Sequence, residues 1–275
     1  MDEALRRCRP LLGTFVEVAA TGVDLSAIDA AFAAVARVHA AMSFHDEASD
    51  LALIRNAPVG TMVTVATDTI TVLRLAITLH HRSRGLFEVA IGSQLVADGV
   101  LPPPAGYAAA ILTGTSADIE IIDDQRLICH RPLLIDLGGI AKGHAVDCAV
   151  QVLTAAGAEQ AIVNAGGDLY VIGATPQRIY LRGTNGQADA AIDIADAALA
   201  SSGPLAVAAP GAGPPHYGRN RLRLAAGNPV TVIAETCIIA DAMTKIALAE
   251  PELAAAMLAE LGGAIIARPD ASLAA

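Results

Sequence analysis

IDLGGIAKGHAVD, Ile135 to Asp147, is the stretch on which the reading of the chain turns. Leu133 to Ile135 reads as a strand, Gly138, Gly139 and Gly143 as a turn, and the residues beyond as a helix ending near Gly157. Glycines let a backbone approach a ligand closely, and the amides at a helix start favour an anion. Within the turn stands Lys142, one of two lysines among 18 cationic side chains; the other is Lys245, in IIADAMTK. A compact ammonium amid glycines at a helix start suggests a phosphate-bearing ligand. The run matches neither GxGxxG nor GxxxxGK[ST], and such turns also serve packing. A second pair, Gly166 and Gly167, lies in VNAGGD, Val163 to Asp168, and a third small-residue turn is Ser201, Ser202, Gly203. Three turns of this kind suggest an extended ligand.

Periodicity around this run describes a mixed α/β layered domain. Thr14 to Ala19 alternates as a strand, and Ile28, Phe32, Val35 and Met42 share a face of a helix over Ser26 to Met42. Asp68 to Ser83 reads as a second helix closed by Gly85, followed by the strand-like FEVAI. ADGVLPPPAGY, Ala97 to Tyr107, is a loop because three consecutive prolines exclude a helix interior or a central strand. Ile119 to Ile122 and Leu127 to Cys129 flank DDQ as a hairpin. Short strands then follow around 161–163, 169–172, 179–181, 191–194 and 199–201. A Gly/Pro-rich loop from Gly203 to Tyr217 precedes the strand Val230 to Ala234 and two C-terminal helices.

With 275 residues, 54% of them hydrophobic, the chain can bury a full core and is read as one domain over 1–275, folded as two lobes around a cleft. A net charge of −10 argues against nucleic-acid binding, which needs a basic stripe. Cys8, Cys129, Cys148 and Cys237 show no CxxC pair and no close Cys/His spacing, so buried free thiols are expected rather than zinc or disulfides. Pro10 and Glu17 interrupt the apolar run after RRCR, and no stretch reaches the uninterrupted apolar length of about 20 residues that a membrane span requires, so a cytoplasmic location is expected.

IDLGGIAKGHAVD followed by IVNAGGD, SSG and VTVIAETCIIADAMTK, in that order, resembles the FAD:protein FMN transferase (ApbE-like) family. RPLLGTFVEV, MSFHDEASDLALIRN and GLFEVAIG extend the likeness from about Arg9 to Ala249. The resemblance implies an α+β layered fold with mixed sheets and flanking helices. It implies an enzyme that binds FAD and, with Mg²⁺, transfers FMN to a Thr or Ser hydroxyl of an acceptor protein, releasing AMP. By the family's pattern Mg²⁺ is held by the Ala141 carbonyl and the Asp241 carboxylate, with a Thr four residues after that Asp; here Lys245 stands there and Thr244 is one residue early. Either Lys245 replaces part of the metal's role or Thr244 donates its hydroxyl. The family's His-Ile-Ile-Asp-Pro segment is replaced by HYGRN, in which His216 is the candidate base, and Glu88 stands where Asp is usual.

The remaining candidates each carry a plainer reading beside the functional one. Asp136 and Asp168 either contact the ligand or cap turns. Met42 and Phe44 together are the candidate flavin-stacking residues in a chain with 3% aromatics and no Trp, though for either one alone, as for Tyr107, core packing is the stronger reading. Asp147 is expected to pair or face solvent, and His80 and His81 have no third ligand in view. Phosphate contacts are assigned to Lys142, Lys245 and the turn residues Gly138, Gly139, Gly166, Gly167, Ser202 and Gly203. Three functions are compatible with these residues: the transferase, a noncatalytic FAD-binding protein, and an FAD pyrophosphatase releasing FMN and AMP.

Overall fold

The computed structural model describes residues 4–107, 110–183, 187–203, 216–224 and 228–266. Its chain order begins with strands β1 (Leu5–Leu11) and β2 (Thr14–Thr21), helices α1 (Leu25–Met42) and α2 (Asp50–Asn56), strand β3 (Met62–Thr64) and helix α3 (Thr67–Arg82). Next come α4 (Gly92–Ala97), the hairpin β4 (Ile119–Ile121) and β5 (Arg126–Cys129), then α5 (Ala141–Ala155). Strands β6 (Gln160–Ala165), β7 (Asp168–Ile172), β8 (Gln177–Arg182), β9 (Ala188–Ile194), β10 (Ala197–Ser202) and β11 (Val230–Ala234) lead to α6 (Cys237–Ala249), α7 (Pro251–Leu261) and β12 (Gly263–Ile266).

Seven strands form the principal sheet in the order β1-β2-β6-β7-β10-β11-β12, and β3-β5-β4 and β8-β9 form two smaller ones. The layered α+β class expected from the sequence is the one observed, with one correction: among the described residues the sheets are not mixed, since every ladder there is antiparallel. Strand side chains alternate between faces, and this separates two cores. Val16, Val18, Val163, Ala198 and Ala200 face the layer of α1, α5 and α6, while Leu169, Val171 and Leu199 point the other way onto Leu181 and Ile194 of the β8–β9 hairpin. The helical core continues through Val63, Ile119 and Leu127 of the small sheet. Helix α1 has the length and hydropathy of a membrane span, yet it lays Ile28, Phe32, Val35 and Val38 into this core.

FEVAI is not a strand but a run of bends leading into α4, and Leu133 to Ile135 is extended without joining a ladder. The two segments exchange only Gly92 N to Leu134 O at 2.9 Å and Asp136 N to Val89 O at 2.8 Å. A Cβ on Gly92 would lie 2.8 Å from the Leu134 carbonyl oxygen, so the crossing requires glycine there. Helices α2 and α4 and strands β3 and β12 were not anticipated. Most of the Gly/Pro-rich loop after Gly203, residues 204–215, lies outside the described residues.

Candidate active site

Helices α5 and α6 meet at backbone contact, because a Cβ on Gly143 would lie 2.3 Å from the Cys237 carbonyl oxygen and 2.7 Å from Ile238 Cα. Asp147, one turn further along α5, locks the crossing by accepting from Cys237 N at 2.7 Å and Ile238 N at 2.9 Å, the first free amides of α6. Burial nevertheless pushes its carboxyl up to about 6. Of the two expectations for Asp147, pairing or facing solvent, the structure shows pairing, in the form of a cap supplied to another helix. This crossing turns Lys142 on α5 toward Asp241 on α6.

Lys142 Nζ bonds Asp168, at the start of β7, and reaches Asp241 Oδ2 at 3.5 Å, while Gly143 N donates to that same oxygen at 3.1 Å. Lys245, one turn along α6, donates to Asp241 Oδ1 at 2.7 Å, Ser202 Oγ at 2.8 Å, Thr244 Oγ1 at 3.0 Å and the Asp241 carbonyl at 3.2 Å. Ser202 and Thr244 hydroxyls are 2.7 Å apart, and Thr244 also donates to the Asp241 carbonyl at 2.7 Å. Burial works against the Lys142 charge, but Asp241 and Asp168 outweigh it and hold its pKa above the ordinary value. Burial likewise opposes ionisation of Asp241, yet the two ammoniums keep its carboxyl below the usual range. Asp168 is shifted up by burial and by Asp241, against the pull of Lys142.

Lys245 therefore sits in a cradle of oxygens of the kind that holds a hard cation. Both carboxylate oxygens of Asp241 are already engaged, one by Lys245 and one by Gly143 and Lys142, and a divalent ion does not fit beside these ammoniums. Of the three residues expected to hold Mg²⁺, Asp241 and Thr244 meet in this cluster, and Ala141 is the buried first residue of α5.

The glycine turns stand at the ends of the elements that carry the cluster, before α5, before β7 and after β10. Gly139 lies against Lys245, whose Cε would be 3.3 Å from a Cβ at that position. Gly166 (φ +69°) packs on Thr14, and Gly167 (φ +108°) donates to Asn164 Oδ1 at 2.9 Å, a pairing that fixes the β6–β7 turn ahead of Asp168. Gly203 presses on Pro229, where a Cβ would lie 2.6 Å from its Cα. Asp136 accepts from Gly138 N at 3.2 Å, the turn-capping role weighed for it, and burial raises its pKa.

His216 is partly buried and feels the charges of Lys245, Lys142 and Asp241; burial first, then the two lysines, lower its pKa to about 4. The hairpin that carries it, residues 216–224, is stapled at several points. Tyr217 donates to Asp98 at 2.7 Å, Arg219 to Glu250 at 2.5 and 2.8 Å and to the Arg84 carbonyl at 3.0 Å, and Arg221 to the carbonyls of Leu112 and Gly114 at 2.5 Å each. These arginines are thus structural.

Three expected flavin contacts are placed differently. The Glu88 carboxylate is consumed by Ala90 N at 2.8 Å, Ser116 N at 2.9 Å, Ser116 Oγ at 2.5 Å and His80 Nδ1 at 3.2 Å. Met42 is buried in the main core, and Phe44 is buried with the ring of His45 edge-on at 5.6 Å, so neither presents a stacking face. A cavity of about 150 Å³ lined by Arg55, Val63, Tyr107, Leu112, Arg131 and Leu133 contains none of the expected site residues. A further cluster escaped the sequence reading. His144 and Cys148, four apart on α5, meet Asp68 of α3, so contrary to expectation the chain does hold a close Cys/His pair. The signal was the HxxxC interval, which on a helix puts both side chains on one face.

The profile of the ApbE family matches residues 12–267. An FAD:protein FMN transferase from Rhodobacter capsulatus is 36% identical over 113 residues, 37% of this chain and 22% of that protein, so the match spans about a fifth of the relative's length. The flavinyl transferase ApbE of Pseudomonas stutzeri, apo form, superposes with a TM-score of 0.79 at 19% identity, covering 98% of this chain and 94% of that one. The flavin transferase ApbE of Vibrio cholerae gives 0.76 at 21% identity, with 98% and 94% covered.

Proposed function

The chain belongs to the ApbE family, and from that premise we propose that it is a transferase that moves FMN from FAD onto a Thr or Ser hydroxyl of an acceptor protein and releases AMP. The observation that carries this reading is the meeting of Lys142, Lys245, Asp168 and Asp241 beside glycine turns and a neutral His216. A phosphoanhydride needs its charge neutralised and its groups aligned more than it needs a covalent protein intermediate. The acceptor oxygen attacks the phosphorus on the FMN side, a new P–O bond forms, the bond to the AMP phosphate breaks, and the acceptor's proton passes to His216 Nδ1 or Nε2. Free His216 is a weak base because burial, and after it the two lysines, depress it. An incoming diphosphate offsets those lysines and raises its basicity when the substrate is in place.

The role usually given to Mg²⁺ falls here to Lys245, whose ammonium occupies the oxygen cradle. The acceptor is a protein segment with an exposed hydroxyl.

Incubating the protein with FAD in EDTA, with and without an acceptor domain bearing the family's flavinylation motif, tests this by chromatography of AMP and mass spectrometry of the acceptor. Acceptor-dependent AMP with covalent FMN is the expected result. AMP without acceptor identifies a pyrophosphatase, FAD binding without AMP in EDTA and again in added Mg²⁺ identifies a noncatalytic flavin-binding protein, and transfer that appears only on adding Mg²⁺ removes the metal's role from Lys245; each overturns the proposal.

A further inference from the structure

On the side of α5 opposite Lys142, Asp68 Oδ1 lies 3.1 Å from His144 Nε2 and 3.8 Å from Cys148 Sγ, and those two atoms are 3.5 Å apart. We propose that Asp68, His144 and Cys148 form a zinc-class metal site, independent of the transferase reading, that clamps the first turn of α3 to α5. Bond lengths of about 2.3 Å to sulfur and about 2.0–2.1 Å to nitrogen and oxygen make the edges of a tetrahedral site about 3.3 Å for N···O and about 3.6 Å for S···N and S···O. The three separations observed are already those of one face of such a tetrahedron.

The chemistry of the donors agrees. One thiolate, one imidazole and one carboxylate suit Zn²⁺ or Co²⁺ far better than Mg²⁺, which takes oxygen. Arg37 Nε holds Asp68 Oδ2 at 2.9 Å, fixing the carboxylate from outside and leaving Oδ1 for a metal, the usual arrangement around a ligating acid. Burial keeps His144 below the ordinary imidazole value, so its lone pair is available. Burial and Asp68 push the Cys148 thiol up to about 12, so binding displaces its proton to solvent as the S–metal bond forms. His144 and Cys148 are buried, whereas the Asp68 side chain keeps 22% exposure, which gives the ion an entry and water a fourth position.

The test is titration of the metal-stripped full chain with Co²⁺. The expected result is one equivalent bound with a thiolate-to-cobalt charge-transfer band that persists in Cys8→Ser, whose thiol is exposed, and is lost in Cys148→Ser. Zinc X-ray absorption of the wild-type protein keeps the test independent of how the variants fold, and should show one sulfur at about 2.3 Å among nitrogen and oxygen neighbours. Absence of the band in wild type, its survival in Cys148→Ser, or a zinc shell without sulfur overturns the proposal.

Discussion

Replacing Lys245 with Thr removes the ammonium shared by Asp241, Ser202 and Thr244 and restores an oxygen donor at that position. The Asp241 side chain is 0% exposed and holds Lys245 at 2.7 Å and Lys142 at 3.5 Å. Deleting one partner of a buried pair costs about 3–5 kcal/mol because a charge is left uncompensated. Here Lys142 and the Gly143 amide remain on the second oxygen, and Lys245 is 21% exposed, so water reaches the vacated space. The expected loss is therefore smaller, about 2–3 kcal/mol. At about 2–4 °C per kcal/mol for a chain of this size, Tm falls by about 4–12 °C. Mg²⁺ at a hundredfold excess over its Kd adds about 2.7 kcal/mol to a protein that binds it only when folded, enough to recover most of that loss. The assay is calorimetric unfolding of both proteins in EDTA and in Mg²⁺, with AMP release followed alongside. Wild type should be indifferent to Mg²⁺ and the variant dependent on it. An equal Mg²⁺ response in wild type, or a variant as stable as wild type in EDTA, refutes the assignment of Lys245 as a built-in cation.

Three other outcomes follow from the same geometry. Gly143→Ala puts a methyl 2.3 Å from the Cys237 carbonyl and should cost at least the 1–3 kcal/mol or so typical of overpacking, read as a lowered denaturant midpoint; a neutral result would mean that α5 and α6 are not in backbone contact. Asp147→Ala strips the acceptor from Cys237 N and Ile238 N and should cost about 1–2 kcal/mol while weakening FAD binding through Asp241, measured by thermal shift and by flavin fluorescence. His216, held at about 4 against 6.5 unfolded, stays neutral in the folded chain while the unfolded chain takes up a proton. Its contribution to stability therefore decreases as pH falls from about 6.5 to about 4. NMR titration of its ring protons should show no inflection near 6.5, and an inflection there would remove the burial and lysine field from the argument.

Much of the fold was legible because periodicity and turn chemistry act over short distances. The alternation of β2, the faces of α1 and α3, the glycine-closed ends of α3 and α5 and the strand-to-strand succession from β6 to β10 all follow from local pattern. The pattern misled at FEVAI, where an apolar run that suits a strand is bent by the Glu88 carboxylate gathering Ala90 and Ser116 amides. Met42 and Phe44 were apolar residues beside a motif, and composition cannot distinguish a ring-stacking surface from a core.

By itself the sequence determined the longer helices and most strands of the principal sheet, the glycine positions where the backbone must turn or touch, and the suspicion attached to two lysines in an arginine-rich chain. Only tertiary structure decided that Lys142 and Asp241, 99 residues apart, share a charge cluster, that Lys245 fills a cation's cradle, and that Asp68 joins His144 and Cys148 across two helices. Local preference is set within a few residues of chain. The partners of a buried charge are set by which helices the sheet brings together, and the principal sheet places β2 beside β6 and β7 beside β10, neighbours that no local pattern specifies.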